Sequence, residues 1–331
     1  MGDSRVVGRR EVLWFGTGLA AGAAGWSWWA GRSKPVVGGP RLIGPSANQL
    51  RYGHGAMPPA SLGPLSLDGV TRLPSPGVAT SPTTRAFPLD VVEQRLPVSV
   101  DRSIDAWTFN GTLPGPILRA TEGDTLEITL RNQTGRAHNL HFHGRHEVEA
   151  DGWEPVAPRG EYTYRFTAGP AGLHPYHCDF TPTEDHIGAG LYGVLVVDGR
   201  RRRPPAHELS LVLGGFDVDG DGSSDLFGWN GVAGFFAKFP IKVPTGELVR
   251  VYLTNMVMDR PLASFHLHAE TFAVFRSGSS VEPDEHTDIL TLGPAERAIV
   301  EFRFPRRGRY MFHPHQTEMA EAGAMGWFSA I

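Results

Sequence analysis

The chain has 331 residues, 40% of them hydrophobic, which is enough for two domains of ordinary size, each with its own buried core. Its 31 basic and 35 acidic side chains are interspersed and leave a net charge of −4, which excludes nucleic acid and other polyanions as expected partners. Gly (41) and Pro (27) are abundant and long helical periodicity is absent, so the pattern predicts a mostly β protein of many short strands.

Residues 1–32 stand apart. Arg9-Arg10 precede Val12-Leu13-Trp14-Phe15 and a Gly/Ala-rich apolar run that ends near Trp29, the pattern of a twin-arginine export signal. The run is also about long enough to span a bilayer, and no small-residue cleavage site follows Trp28-Trp29, so an N-terminal membrane tether is the alternative. Either reading places the folded part outside the cytoplasm, periplasmic or extracellular. Residues 33–86, rich in Pro, Gly and Ser, read as a linker or arm, with folded structure expected from Phe87.

An internal repeat organises the rest. Glu122-Gly-Asp-Thr-Leu-Glu-Ile-Thr-Leu-Arg-Asn132 has a near copy in Thr245-Gly-Glu-Leu-Val-Arg-Val-Tyr-Leu-Thr-Asn255, both alternating as half-buried strands do. Each is preceded by an aromatic-Asn-Gly turn, Phe109-Asn110-Gly111 and Trp229-Asn230-Gly231, and followed by a histidine pair, His141/His143 and His266/His268. Tyr162–Phe166 with His174-Pro-Tyr-His177-Cys178-Asp179 parallels Ile299–Phe304 with Phe312-His313-Pro314-His315. The chain is therefore read as a duplicated β domain, the first over residues 87–200 and the second over residues 205–331.

The halves differ where chemistry resides. The first has His138, Cys178 and His186 where the second has Ala263, Pro314 and a histidine-free stretch near Met319. An exported protein ordinarily uses cysteines in pairs, yet Cys178 is the one cysteine of the chain and forms no internal disulfide. Side chains alternate faces along a strand, so one face collects His138 and Cys178, and the other His141, His143, His177 and Asp179. His186, eight residues past Cys178 across a Pro-containing loop, can return to the first face.

Two imidazoles and one thiolate are the ligand set of a type 1, blue-copper site. Zinc accepts the same atoms and is the alternative. Three ligands with the non-coordinating Leu191 behind them suit trigonal copper better than tetrahedral zinc, and a missing axial thioether is expected to raise the reduction potential.

His138-Asn-Leu-His141-Phe-His143-Gly144, His174-Pro-Tyr-His177-Cys178 with the following His186 and Leu191, Ser264-Phe-His266-Leu-His268 and His313-Pro-His315 together resemble the copper-binding signature of multicopper oxidases, in particular their two-domain, laccase-like members. The resemblance runs from about Trp107 to Ile331 and rests on four histidine motifs in order. It implies an all-β chain of two tandem cupredoxin-like Greek-key β-barrels, with a type 1 copper and a type 2/type 3 trinuclear copper cluster.

The cluster ligands it implies are His141, His143 and His177 from one domain and His266, His268, His313 and His315 from another. The two-domain members are homotrimers with the cluster between chains. A small-molecule or metal-ion reductant would be oxidised at the type 1 copper, and electrons would pass through His177 to the cluster, where dioxygen is reduced to water. Asp179 departs from the pattern, which has a histidine there. As a carboxylate it is a candidate eighth ligand, expected to hold copper less completely.

Two other functions compete. Copper nitrite reductases share the spacing of His138 and His143, but the resemblance would put a catalytic Asp where this chain has His141. The other alternative is a copper-binding electron-transfer protein with a degenerate cluster. Asp151, in an Asp-Gly turn, matches a position of the family thought to serve proton delivery, and Glu318 is a second candidate relay.

His146 reads as a hydrogen-bond partner of a ligand, and His174 as structural. Asp217-Val-Asp-Gly-Asp-Gly-Ser-Ser-Asp225 has the alternating carboxylates of a calcium loop, but Gly228 stands where the bidentate Glu belongs, so an acidic turn is the expectation. His54, His207 and His286 lie outside every motif and read as surface residues.

Overall fold

The structure is a computed structural model that describes Thr71, Leu73, Pro74 and residues 81–331. The export-signal reading of residues 1–32, most of the arm and His54 lie outside the described residues.

The first half contains β1 (Thr84–Pro97), β2 (Ser103–Phe109), β3 (Leu118–Thr121), β4 (Thr125–Asn132), β5 (His141–Phe142), β6 (Glu161–Thr167), β7 (Gly172–His177) and β8 (Tyr192–Asp198), with helix α1 (Thr183–Gly188) between the last two. They form two sheets, β2-β1-β4-β6 and β3-β8-β7-β5. The second half contains β9 (His207–Phe216), β10 (Leu226–Trp229), β11 (Ile241–Val243), β12 (Val249–Asn255), β13 (Ala263–Leu267), β14 (Phe272–Phe275), β15 (Glu285–Thr287), β16 (Ile289–Leu292), β17 (Arg297–Phe302), β18 (Gly308–His313) and β19 (Gly326–Ala330). Short helices α2 (Phe235–Lys238) and α3 (Thr317–Met319) sit among them. These strands form the sheets β10-β9-β12-β17-β14-β15 and β11-β19-β18-β13-β16. The architecture is two tandem cupredoxin-like Greek-key β-barrels.

The repeat is visible in the pairing. β1 runs parallel to β4 as β9 runs parallel to β12, and β4 pairs antiparallel with β6 as β12 does with β17. Asn110 and Asn230 both adopt positive φ, 56° and 53°, a conformation that asparagine tolerates better than most residues. Their side chains accept from the backbone N–H of Asp90 (2.6 Å) and Val212 (2.7 Å), pinning each turn to its neighbouring strand. Asn132 and Asn255, the last residues of the repeated strands, turn in the same way to accept from the N–H two residues on.

Alternation along these strands buries one side. β4 places Leu126, Ile128 and Leu130 inward at 0% exposure, against Leu89, Val91, Phe109 and Phe142. The second core is more aromatic, with Trp229, Phe265, Phe312 and Phe328 packed edge to face or tilted. A further cluster joins the halves: Leu173, Val194 and Val196 pack with Val212, Tyr252, Phe275 and Ile299. Buried Arg119 pairs with Asp198 of the first half and Glu208 of the second, and Glu208 also accepts from Arg250.

Two expectations change. Strand structure begins at Thr84, three residues before Phe87, because Thr83, Arg85 and Asp124 tie the start of β1 to β4. The arm is also packed at one point: Leu73 is buried at the junction of the halves, and Pro74 accepts a hydrogen bond from Arg119 (2.9 Å).

Candidate metal centres

β7 ends at His177 and the chain turns, so His177 and Cys178 project to different sides. Cys178 points into the first core at 0% exposure. There its Sγ lies 3.2 Å from His186 Nδ1 and 3.8 Å from His138 Nδ1, and the two nitrogens are 3.2 Å apart. His186 arrives on α1, an element the strand-based reading did not include. His138 is held by an isolated bridge to Val156, and its Nε2 donates to Thr134 Oγ1 (2.9 Å), which leaves Nδ1 free as a donor atom.

Burial, then the nearby His186 and Arg136, push the pKa of His138 down to about 4, so its imidazole is neutral at physiological pH. Burial pushes the Cys178 thiol up to about 11 in the absence of a cation. Leu191 is fully buried in the same core, and its carbonyl accepts from the Cys178 N–H (3.0 Å).

His141 and Phe142 alone form β5, paired directly with His177 and Tyr176 of β7. The neighbouring His143 donates its N–H to the Pro175 carbonyl (2.9 Å). This brings His143 Nε2 to 3.1 Å from His177 Nε2, with the His141 ring centroid 5.2 Å from each of the other two. Two of the other ring nitrogens are occupied. His141 Nδ1 donates to Asp151 Oδ1 (2.7 Å), and His177 Nδ1 donates to the Cys178 carbonyl (3.1 Å). Such partners fix the His141 and His177 rings and leave Nε2 of each as the ligating atom. Burial, then His177 and His141, push His143 down to about 3.

Gly152 lets the Asp151 turn close. Its φ is +79°, and a Cβ there would stand 2.2 Å from the Leu140 carbonyl oxygen. His146 sits beside the same carboxylate, with Nε2 2.9 Å from the Phe142 carbonyl oxygen and 3.4 Å from Asp151 Oδ1.

The second half holds a matching group. His266, on β13, pairs in register with His313 of β18, and His268 Nε2 lies 3.0 Å from His313 Nε2. His266 Nδ1 donates to the Asp288 carbonyl (2.8 Å) and His313 Nδ1 to the Pro314 carbonyl (2.7 Å). The exposed His315 stands at the edge, its ring centroid 5.2 Å from His266 and 5.6 Å from His313.

Among the described residues, the predicted histidine and cysteine ligands other than His315 fall into three compact groups, His138/Cys178/His186, His141/His143/His177 and His266/His268/His313, the atoms of each lying within 4.8 Å of one another. Asp179 belongs to none of them. It was expected beside His177 by alternation, but the strand has ended, and Asp179 is exposed with its carboxylate accepting from the Thr183 hydroxyl (3.2 Å).

Glu318 also lies outside these groups; it pairs with Arg260 (3.3 Å). His174 is buried in β7, its Nε2 donating to the Pro170 carbonyl (2.7 Å). Asp217, Asp219 and Asp225 do converge, but backbone amides of their own loop occupy them, as in an acidic turn. Three contributors carried no sequence signal: Thr134 behind His138, Asn139 between Cys178 and the Asp179 N–H (2.7 Å), and Trp107, edge-on to both His138 and His186.

Models of the multicopper oxidase family match residues 93–202 and 204–330. The chain belongs to the multicopper oxidase family. A solved multicopper oxidase is similar at 38% identity, covering 75% of this chain and 89% of that one, with a TM-score of 0.73. A copper nitrite reductase from Nitrosomonas europaea is similar at 28% identity, covering 75% and 94%, with a TM-score of 0.68. A copper-containing nitrite reductase of Neisseria meningitidis is 28% identical over 72% of this chain and 67% of its own length. A laccase of Oryza sativa is 26% identical over 57% of this chain and 40% of its own.

Membership of this multicopper oxidase family makes the chain a copper oxidoreductase. The residues fit that cofactor. Neutral buried imidazoles and a thiol converge with separations of 3.2–3.8 Å, the edge lengths expected around an ion with ligand bonds of about 2.0–2.3 Å.

Proposed function

We propose that the protein couples one-electron oxidation of a small reductant at a copper held by His138, Cys178 and His186 to reduction of dioxygen at a trinuclear copper site shared between chains. When bound, copper supplies the one-electron redox chemistry at the first site and dioxygen reduction at the second. Overall, four donors each lose one electron, and dioxygen takes up four electrons and four protons to give two waters. The observation that carries the reading is the placement of His177 and Cys178, consecutive residues that belong to two different donor groups. The peptide between them, with the His177 Nδ1 hydrogen bond to the Cys178 carbonyl, offers a short covalent and hydrogen-bonded path from one group to the other.

The protein's own groups do the rest. Burial keeps the thiolate site dry. Asp151 holds His141 through Nδ1 and, with its side chain 20% exposed, keeps contact with solvent, so it is placed to move protons beside the histidines. Glu318 makes its ion pair with Arg260 and is the weaker candidate for that task.

A homotrimer is the working unit of this reading. His141/His143/His177 and His266/His268/His313 are separate groups, each bordered by exposed apolar residues that a second copy could cover. Trp153 (72% exposed) and Val148 (63%) flank Asp151, and Ile289 (38%) is the register partner of His266. Such unlike half-sites meet when copies join head to tail in a closed ring. Export by the twin-arginine route, to the periplasm or the cell exterior, completes the proposal.

Nitrite is the second acceptor to consider, because Asp179 leaves the first half with three histidines and because copper nitrite reductases are among the relatives. Oxygen uptake and nitrite consumption, measured on the same copper-loaded preparation with one reductant, separate the two. Oxygen uptake without nitrite loss is the expected result. Nitrite loss with negligible oxygen uptake would make the chain a nitrite reductase, and neither activity would make it an electron-transfer protein.

A further inference from the structure

Arg136 lies two residues before His138, and its position is set by the same hydroxyl that sets that ligand. Thr134 Oγ1 accepts from the Arg136 N–H (3.2 Å) and from His138 Nε2 (2.9 Å) and donates to Asn132 Oδ1 (2.8 Å). Asn132 Nδ2 in turn donates to the Arg136 carbonyl (2.6 Å). The backbone at Arg136 is therefore fixed from both sides by buried groups. From it the guanidinium lies over Trp107, 5.2 Å from the ring centroid. The Trp107 ring is in turn edge-on to the thiolate site, 4.9 Å from the centroid of His186 and 5.6 Å from that of His138.

Arg136 is exposed and forms no ion pair among the described residues, so no adjacent carboxylate cancels its charge. Its charge is directed at the two imidazoles across the Trp107 ring. Two carboxylates carry the opposite charge near the ligands in sequence: Asp179 follows Cys178 and Asp185 precedes His186. Both sit on or before α1, whereas Arg136 approaches across the Trp107 ring.

A fixed positive charge disfavours the more highly charged state of a nearby ion. We infer that Arg136, held on the face of Trp107, is a positioning and tuning residue that raises the reduction potential of the copper at His138, Cys178 and His186. It acts in the same direction as the non-coordinating Leu191. Trp107 carries the guanidinium at a set distance from the ligands. The inference rests on the proposed thiolate copper site and on no property of the trinuclear site.

The test is an anaerobic redox titration of the copper-loaded protein against a ferricyanide–ferrocyanide mixture, reading the thiolate-to-copper absorption. Arg136→Gln should lower the ratio of reduced to oxidised copper at fixed poise roughly threefold to fivefold, and Arg136→Glu further, with the absorption band unmoved. Arg136→Lys, which keeps the charge, should stay within about twofold of wild type, and added salt should shrink the differences. Equal ratios in wild type, Arg136→Gln and Arg136→Glu would overturn the inference. So would equal shifts in Arg136→Gln and Arg136→Lys, which would assign the effect to packing. If Arg136→Gln moves the band, the comparison of Arg136→Lys with the similarly long Arg136→Met decides by the same criterion. Absence of the band from copper-loaded wild type would instead refute the proposed thiolate site.

Discussion

His177 and Cys178 share a peptide bond, yet His177 Nε2 lies 3.1 Å from His143 Nε2 while Cys178 Sγ lies 3.2 Å from His186 Nδ1. The end of β7 makes this possible. A residue that closes a strand faces one side of the sheet, and the residue that begins the turn drops into the barrel. Both donor groups are thereby held by the same hydrogen-bonded strand, which limits how far either can move without the other.

Thr134 supports the buried end of the thiolate site. Thr134→Val removes the acceptor of His138 Nε2 while keeping the volume, so the ring loses its fixed tautomer. Loss of such a partner costs about tenfold to a hundredfold in metal affinity. Competition with a copper chelator should show that fall for the thiolate-bound copper, while copper held by the other histidines is unaffected. Unchanged affinity would show that bridging to Val156 alone orients the ring.

Asp124 is fully buried and accepts from the backbone N–H groups of Thr83 and Thr121 and from Arg85. Burial by itself raises its pKa, but these donors together outweigh it and hold the group below the ordinary carboxylate value. A depressed folded-state pKa contributes stability that is fully present above the unfolded pKa of about 3.9 and is lost as pH falls through the folded value. Asp124→Asn should therefore cost about 2–4 kcal/mol in urea unfolding at pH 7. The gap from wild type should narrow below about pH 4. A gap independent of pH would contradict the ionised state.

Much of this was legible in the chain. The repeated Asn-Gly turns and strand-end asparagines marked the duplication, because each performs the same hydrogen-bonding task in both barrels. Alternation separates His138 and Cys178 from His141, His143 and His177, and these atoms lie in two different groups, although β5 is only His141–Phe142 and His138 sits in an isolated bridge. It failed at Asp179, since a period of two holds only while the strand continues. Helix α1, which delivers His186, has six residues and too little periodicity to read. Thr134, Asn139 and Trp107 reach the site through the fold, from positions whose residue types carry no metal signature.

Asp179 stands where the resemblance implies a histidine, and it is turned away to Thr183. Wild-type copper content should accordingly fall below four per chain by elemental analysis, and Asp179→His should raise both copper content and oxygen uptake. Four coppers in wild type, with lower turnover in Asp179→His, would make the carboxylate a ligand or proton donor in its own right.

Separate half-sites predict complementation. His143→Ala and His268→Ala chains, each impaired alone, should recover part of their oxygen uptake when dissociated and reassembled together, because some mixed interfaces then carry no substitution. Exchanging, copper-loaded mixtures that stay inactive would place the cluster within one chain or nowhere, as would a monomer by sedimentation.

The most direct measurement is the visible absorption of copper-loaded wild type beside Cys178→Ser. Cys178 is the one cysteine of the chain, so an intense thiolate-to-copper band has a single possible source. The account predicts that wild type is blue, that Cys178→Ser is colourless, and that the variant keeps the copper bound by the other histidines while losing oxidation of phenolic reductants. A wild-type protein that takes up copper at His138, Cys178 and His186 without that band, or a serine variant that keeps it, would contradict the account.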